Sequence, residues 1–461
     1  MDRSSLNPQP SATLQFLGAT DSVTGSMHLL DTGSYRLLLD CGNESSEDER
    51  GRKKPFRWQF EPGSIDAVCI THAHQDHCGG LPLLVRDGFR GPILCSHATY
   101  DLLEVILSDR AHYFERSALR RTSFRSRGWQ EDESTSFTYT DVENTLRLCT
   151  PLPLGEPFRL CPTVSVQLID SGHVLGSVSF QVEFRSGERW KRVFFTGDLG
   201  RSDLPLVGNL SPLPTADAII CESTYGGKQH ESYPSTIDKL SSIIRQTVAR
   251  GGKVLIPAFS LGRIHLVMHT LQSAKQDGRI PNCPIYIDSP LAKRLDDVYH
   301  EHLGDEALRS LAGNWINDSD EAWYRSTQPG SSIIIASGGM CDSGRILDHL
   351  RYHIDDPRSS LVMVSYQAPA SFGAKLLSPT PIVRFKGRVW NKWIDIHQVS
   401  GFSAHADQND LLRVLSSTAT ETKNLFLIHG ESEQKVALKQ RCQEIGFRNV
   451  FIPAHGQAFP I

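Results

Sequence analysis

The sequence predicts an α/β protein of two domains, and three observations carry that prediction. The chain has 461 residues, more than one ordinary core accommodates. Its N-terminal part is rich in short β-branched and apolar runs that end in polar residues. From about Pro205 onward, strands alternate with helical stretches, the pattern of a parallel sheet covered by helices.

Hydrophobic residues make up 39% of the chain and charged residues 22%, so it is globular rather than disordered. The ten cysteines are scattered and form no CxxC pair, which excludes a disulfide scaffold or zinc finger and fits a reducing compartment. No run of about eighteen apolar residues is present, and the opening MDRSSLNPQPSATLQFLG lacks the build of a signal peptide. These features predict a soluble cytoplasmic protein without a membrane partner. A net charge of −4 does not mark a nucleic-acid binder. Local charge differs: RAHYFERSALRRTSFRSR, from Arg110 to Arg127, holds six arginines against one acid, and Arg384, Lys386, Arg388 and Lys392 form a second cluster. Such runs are more often solvated faces than binding sites, so they only permit a phosphate-rich partner.

Taken in order, strands are expected at Thr13–Leu17, Arg36–Asp40, Ala67–Ile70, Val164–Ile169, Val178–Phe184 and Val193–Thr196. Several run straight into CITHAH, LIDSGH and FFTGD, which puts His and Asp side chains on loops at a sheet edge. The alternating region reads as AIICES, a helix near Ser235–Ala249, KVLIPAF, a helix near Gly262–Gln276, then PIYIDSP, SSIIIASGG and SLVMVSYQ. The C-terminal stretch returns to short strands in IDIHQVSGF, NLFLIHGE and NVFIPAHG, around one helix after Asp407. Asn43–Arg57 and Gln130–Ser136 read as exposed loops.

The chemistry concentrates in ITHAHQDHCGG, where His72, His74, Asp76 and His77 follow a buried-looking strand. Two imidazoles two residues apart suit one metal, and the following Asp and His turn toward a second. Zinc takes imidazole and carboxylate ligands and keeps an open position when catalytic.

THAHQDH resembles the signature motif of the metallo-β-lactamase superfamily. The further segments ICESTYGGK, PAFSLGR, IDSP, ASGGMCDSGR and GFSAHAD resemble its β-CASP branch, which includes ribonuclease J and the pre-mRNA 3′-end endonuclease, and most closely its stand-alone bacterial ribonucleases. The resemblance implies an αββα sandwich with an inserted β-CASP α/β domain, divided as 1–206 and 392–461 for the sandwich and 207–391 for the insertion. It also implies two zinc ions in the cleft between the domains. By the same resemblance His72, His74, His173 and Asp198 hold the first ion, and Asp76, His77, Asp198 and His405 the second. Asp40 orients a ligand, and Glu222 is the acidic motif after the bridging aspartate.

The implied activity is phosphodiester hydrolysis of RNA through a metal-bound hydroxide, with Asp76, Glu222, Lys375 and His405 as catalytic residues. Lys375 stands in SYQAPASFGAKLL where relatives carry a leaving-group histidine, and Pro369, Ala370 and Ser371 replace the usual Glu-Gly-Thr before it. Ser337, Gly338, Gly339 and Ser343 offer a phosphate-binding turn, and equally read as tight turns beside a packed helix. Arg263 is open to a capping role in the same way. His349, His397 and His429 have no place in this scheme and read as structural. Hydrolysis of DNA or of a small phosphodiester or ester, and a weakly active scaffold subunit, remain alternatives. A homodimer is compatible with the sequence.

Overall fold

The computed structural model describes residues 12–43, 56–123, 135–208, 210, 212–308, 314–368 and 370–461. Most of the loop expected at Asn43–Arg57, the end of the arginine-rich run and Pro369 lie outside the described residues. The chain divides into two units: Met1–Ser202 with Val207–Gln229 and His405–Ile461, and Asp203–Leu206 with His230–Ala404.

The first unit holds two seven-stranded sheets. One comprises Thr13–Phe16 (β1), His28–Asp31 (β2), Arg36–Leu39 (β3), Ala67–Cys69 (β4), Ile93–Ser96 (β5), Cys149–Leu152 (β6) and Ala458–Pro460 (β22), in the order β22-β1-β2-β3-β4-β5-β6. The other comprises Pro157–Cys161 (β7), Val164–Asp170 (β8), Val178–Ser186 (β9), Arg189–Phe195 (β10), Ala218–Glu222 (β11), Asn424–Ile428 (β20) and Val450–Phe451 (β21), in the order β21-β20-β11-β10-β9-β8-β7. Inward side chains of both sheets, among them Phe16, Leu39, Phe180, Phe195 and Phe426, share one core. On the far face of the second sheet, the helices Gln408–Ser416 and Ser432–Glu444 close another core through Leu411, Leu415, Leu438 and Cys442. β11 is buried along its whole length, as a parallel strand covered on both faces must be.

The second unit is a six-stranded parallel sheet of Val254–Ala258 (β12), Ile285–Asp288 (β13), Asn314–Trp315 (β14), Ile333–Ser337 (β15), Ser360–Met363 (β16) and Asp395–Gln398 (β19), in the order β14-β13-β15-β12-β16-β19. Ile382–Phe385 (β17) and Arg388–Asn391 (β18) form a separate hairpin, which takes up the second basic cluster.

Both α/β layers follow the expected pattern, and the helices Tyr233–Ala249 and Arg263–Gln276 fall where the sequence puts them. The boundaries differ from 206/207 and 391/392. Val207–Gln229 stays with the first unit because β11 pairs in parallel with β10 and β20. The second unit extends to Ala404 because β19 pairs with β16. All ten cysteines are unpaired, and among the described residues no helix is long and apolar enough to cross a membrane.

Candidate metal centre

The carboxyl ends of β3, β4, β8, β10, β11 and β20 are followed at once by the polar residues of one cluster, the edge at which α/β sheets assemble their sites. Asp40 follows β3 in the left-handed region, φ +58°, a conformation that L residues adopt only when their surroundings enforce it. Its carboxylate accepts hydrogen bonds from Thr71 N (2.9 Å), Thr71 Oγ (3.0 Å) and Ser26 Oγ (3.0 Å), and meets His77 Nδ1 at 2.6 Å. That contact fixes the His77 ring and leaves Nε2 aimed inward, the arrangement by which a carboxylate orients a metal-binding imidazole.

His173 sits in a loop clamped on both sides. The Ser177 hydroxyl accepts from His173 N at 2.9 Å, and Ser96 and Thr99 donate to Gly176 O at 2.6 and 2.8 Å. Gly200 is obligatory here, since a Cβ would fall 1.7 Å from Gly172 O. Asp198 is pressed inward by Gly197, whose missing Cβ would lie 2.6 Å from the Thr71 side chain.

Two donor sets result. His72, His74, His173 and Asp198 offer ligand atoms within 4.8 Å of one another, and so do Asp76, His77 and His429. Asp198 lies between them: its Oδ2 is 3.6 Å from His72 Nε2, 3.5 Å from His173 Nε2 and 3.4 Å from His77 Nε2, and its Oδ1 is 3.3 Å from His429 Nδ1. Ring nitrogens face one another at 2.9 Å between His72 and His74 and at 3.3 Å between His77 and His429. Burial, reinforced by His77 and His74, drives His72 well below the usual imidazole range, and burial with His405 does the same to His173. Burial also takes His74 down to about 4, against the pull of Asp76 and Asp198. Burial alone would push Asp198 up, but His429, His77 and His405 outweigh it and hold the carboxyl well below its ordinary range. Neutral imidazoles converging on ionised carboxylates are the donor set a divalent cation requires, so the residues present fit a metal. His77 also shows the demand for positive charge: despite burial, Asp198, Asp40 and Asp76 raise it well above the ordinary imidazole value.

His405 lands elsewhere than the sequence places it. Its Nδ1 is 3.3 Å from Glu222 Oε1 and 3.8 Å from Asp198 Oδ2, so it joins Glu222 rather than the pair Asp76 and His77. Glu222, at the end of β11, also accepts from Leu199 N at 2.6 Å and Thr224 N at 3.3 Å. The position beside Asp76 and His77 belongs to His429, which the sequence reading left as structural. A signal was available: His429 follows the apolar strand NLFLI, just as His72 follows its own strand. Its φ of +48° marks a second enforced conformation at the centre.

The remaining candidates lie in the second unit. Lys375 is on the exposed side of the helix Phe372–Leu377. Ser337 ends β15 and leads into one tight turn with Gly338, Gly339 and Ser343, in which a Cβ on Gly338 would lie 2.1 Å from Ser343 O. Ser343 is exposed and Ser337 half-buried.

Three family descriptions match the chain: the metallo-beta-lactamase superfamily over residues 21–155, the Beta-Casp domain over 263–376, and the Zn-dependent metallo-hydrolase RNA specificity domain over 394–453. A ribonuclease of Thermus thermophilus is 33% identical over 457 residues, spanning 96% of this chain and 99% of the relative. The transcription termination factor FttA of Methanothermobacter thermautotrophicus is 30% identical over 454 residues, 93% of this chain and 68% of that one. In fold, the chain resembles a crystal structure of a protein of unknown function from Enterococcus faecalis, with a TM-score of 0.56 at 12% identity, covering 98% of this chain and 100% of the other. With the ligand clusters at the strand ends and a parallel sheet in the second unit, the chain belongs to the β-CASP branch of the metallo-β-lactamase superfamily and is a metal-dependent hydrolase.

Proposed function

We propose that the protein is a ribonuclease that holds two zinc ions and hydrolyses phosphodiester bonds in RNA. The observation that carries this reading is the pair of donor sets around one shared carboxylate: His72, His74 and His173 on one side of Asp198, Asp76, His77 and His429 on the other. Held by these residues, zinc would supply a hydrolytic nucleophile at neutral pH and Lewis-acid stabilisation of a phosphoryl oxygen. RNA as substrate is supported by the Thermus relative, a ribonuclease, and by the RNA specificity domain match over residues 394–453.

The chain's own residues then have distinct tasks. Asp40 holds His77 in orientation, and the clamped loops carrying His173 and Asp198 keep the donors converged. Glu222 orients His405, whose imidazole Glu222 and Asp198 raise above its ordinary value despite burial. A histidine so poised delivers a proton to the leaving oxygen, and its neighbours favour the charged form that must exist beforehand. We therefore assign His405, with Glu222, the role of proton donor, and His429 the ligand position that the sequence reading gave to His405. Lys375, the sequence candidate for that donor, is exposed rather than in a dry site. Asp76 serves as a ligand and, with its side chain 32% exposed, marks the open side of the centre. Ser337, Gly338, Gly339 and Ser343 remain candidates for contact with the RNA backbone through the turn after β15.

The test is incubation of zinc-loaded protein with an end-labelled RNA and the matching DNA, with product ends mapped. RNA cut to 5′-phosphate and 3′-hydroxyl ends is expected. Products with 2′,3′-cyclic phosphate, or cutting of DNA in preference to RNA, overturn the reading.

A further inference from the structure

The carboxyl edge of the second unit's sheet presents two large aromatic rings to solvent. Phe259, the first residue after β12, is 42% exposed, and Tyr366, three residues after β16, is 44% exposed. β15, β12 and β16 are neighbours in the sheet, so the loops bearing these rings and the Ser337–Gly339 turn lie side by side. Exposed aromatics at this edge are unlike scattered surface apolar groups, because this is where parallel sheets bind ligands.

The three loops are tied to one another. The Arg263 guanidinium donates to Val364 O, joining the segment after β12 to that after β16. Gln367 Nε2 donates to Gly339 O and to Ser365 O, both at 2.9 Å, joining the β16 loop to the β15 turn. Phe259 O accepts from Ile264 N at 3.1 Å, which seats its residue on the start of the following helix. The rings therefore project from a fixed base, and little ordering is needed when something packs on them.

A buried polar group lies beside the base of the Phe259 ring. Ser365 is 5% exposed, and its hydroxyl oxygen is buried with no hydrogen-bond partner among the described residues. A Cβ on Gly339 would lie 3.0 Å from the Phe259 ring and 3.1 Å from that oxygen, so the glycine leaves bare the spot where ring and hydroxyl meet. Exposed flat rings on a fixed base suit a flat ligand.

We propose that Phe259 and Tyr366 form a stacking platform for the nucleobases of a bound RNA strand. The proposal rests on the reading that the protein acts on RNA, and it names how the second unit grips the strand: by base faces, without regard to sequence.

The experiment uses the full chain and two fluorescein-labelled probes, an oligoriboadenylate and an abasic oligomer of the same length. Binding is read on ice by anisotropy, and the probe is checked intact by gel afterwards. Wild type is expected to bind the oligoriboadenylate at least tenfold more tightly than the abasic strand. Phe259→Ala and Tyr366→Ala should each lose roughly tenfold for the first probe and little for the second, with an unchanged salt slope, since phosphate contacts are untouched. Phe259→Trp should retain affinity, while Phe259→Leu, of similar bulk but without a π-face, should not. Equal losses on both probes, or none, overturn the platform while leaving the ribonuclease reading intact. A wild type that binds neither probe overturns both.

Discussion

Each unit contains a buried histidine bound to a buried aspartate, and only one of the two pairs belongs to a reactive centre. His77 Nδ1 meets Asp40 Oδ2 at 2.6 Å, and His349 Nε2 meets Asp288 Oδ2 at 2.9 Å. The difference lies in the second ring nitrogen. His77 Nε2 faces His429 Nε2 at 3.3 Å, Asp198 Oδ2 at 3.4 Å and Asp76 Oδ2 at 3.7 Å, a crowd of donors with no proton to satisfy them all. His349 Nδ1 is matched to the Ser326 hydroxyl at 2.6 Å. Ser326, His349 and Asp288 have the order of a hydroxyl–imidazole–carboxylate relay, yet each is about 1% exposed, so no substrate reaches the hydroxyl. A buried His–Asp pair becomes a metal site only when the remaining nitrogen is left for something that is not protein.

The largest expected effect separates the two pairs outright. Asp198→Ala removes the carboxylate common to both donor sets, and elemental analysis should show about two zinc ions per chain falling to one or none, with RNA cleavage lost. Retention of both ions would mean that the sets are independent and Asp198 is no bridge.

His405 and His429 come next, since sequence and geometry assign them opposite parts. His405→Ala should lower turnover by roughly 10²- to 10⁴-fold while zinc content stays constant, the signature of a lost proton donor. His429→Ala should lose about one ion per chain. The reverse outcome, zinc lost with His405 and kept without His429, would restore the sequence assignment. In the second unit, His349→Ala should leave zinc and turnover unchanged but cost about 2 kcal/mol of stability by denaturant titration, because the buried Asp288 loses its hydrogen-bonded imidazole and keeps Arg345 at 3.6 Å.

What was legible in the sequence follows from what is local. The HxHxDH run and its strand declare themselves within a dozen or so positions, and Asp198 and Glu222 likewise follow apolar runs. The proposed exchange of His405 and His429 rests on β20 pairing in parallel with β11, two strands some 200 positions apart, which no spacing rule reports. The same pairing moves Val207–Gln229 out of the insertion. The helix Ser432–Glu444 is not legible in the sequence because its buried face includes Gln434 and Lys435 beside Leu438 and Cys442, so the apolar period is broken. Lys435 is kept inside by donating to Thr20 O, a long-range partner invisible in the sequence. The basic cluster at 384–392 is thinned for a related reason: Lys386 pairs with Asp348 at 3.0 Å and Lys392 donates to Leu376 O at 2.9 Å, while Arg384 and Arg388 stay exposed.

The smallest expected effect concerns His353, one turn beyond His349 on the helix Ile346–His353. Burial, with Lys253 adding to it, lowers this imidazole from its ordinary 6.5 to about 4. The unfolded chain therefore takes up a proton near pH 6.5 that the folded chain refuses until about pH 4. The stability at stake is fully present above pH 6.5 and is lost as the pH falls from 6.5 toward 4. A difference of this size is worth on the order of 3 kcal/mol by the usual linkage of about 1.4 kcal/mol per pH unit, and local opening of the helix end reduces it. Burial also lowers other histidines, among them His28 and His74 in the first unit and His265 in the second, so the absolute acid limb assigns nothing, and the variant difference is the quantity to measure. His353→Gln keeps a polar side chain of similar size without the proton, and its urea midpoint should fall less than that of wild type between pH 7 and pH 5. Parallel curves would mean that His353 takes up its proton in the folded chain, and that the second unit holds this histidine as loosely as it holds His349 tightly.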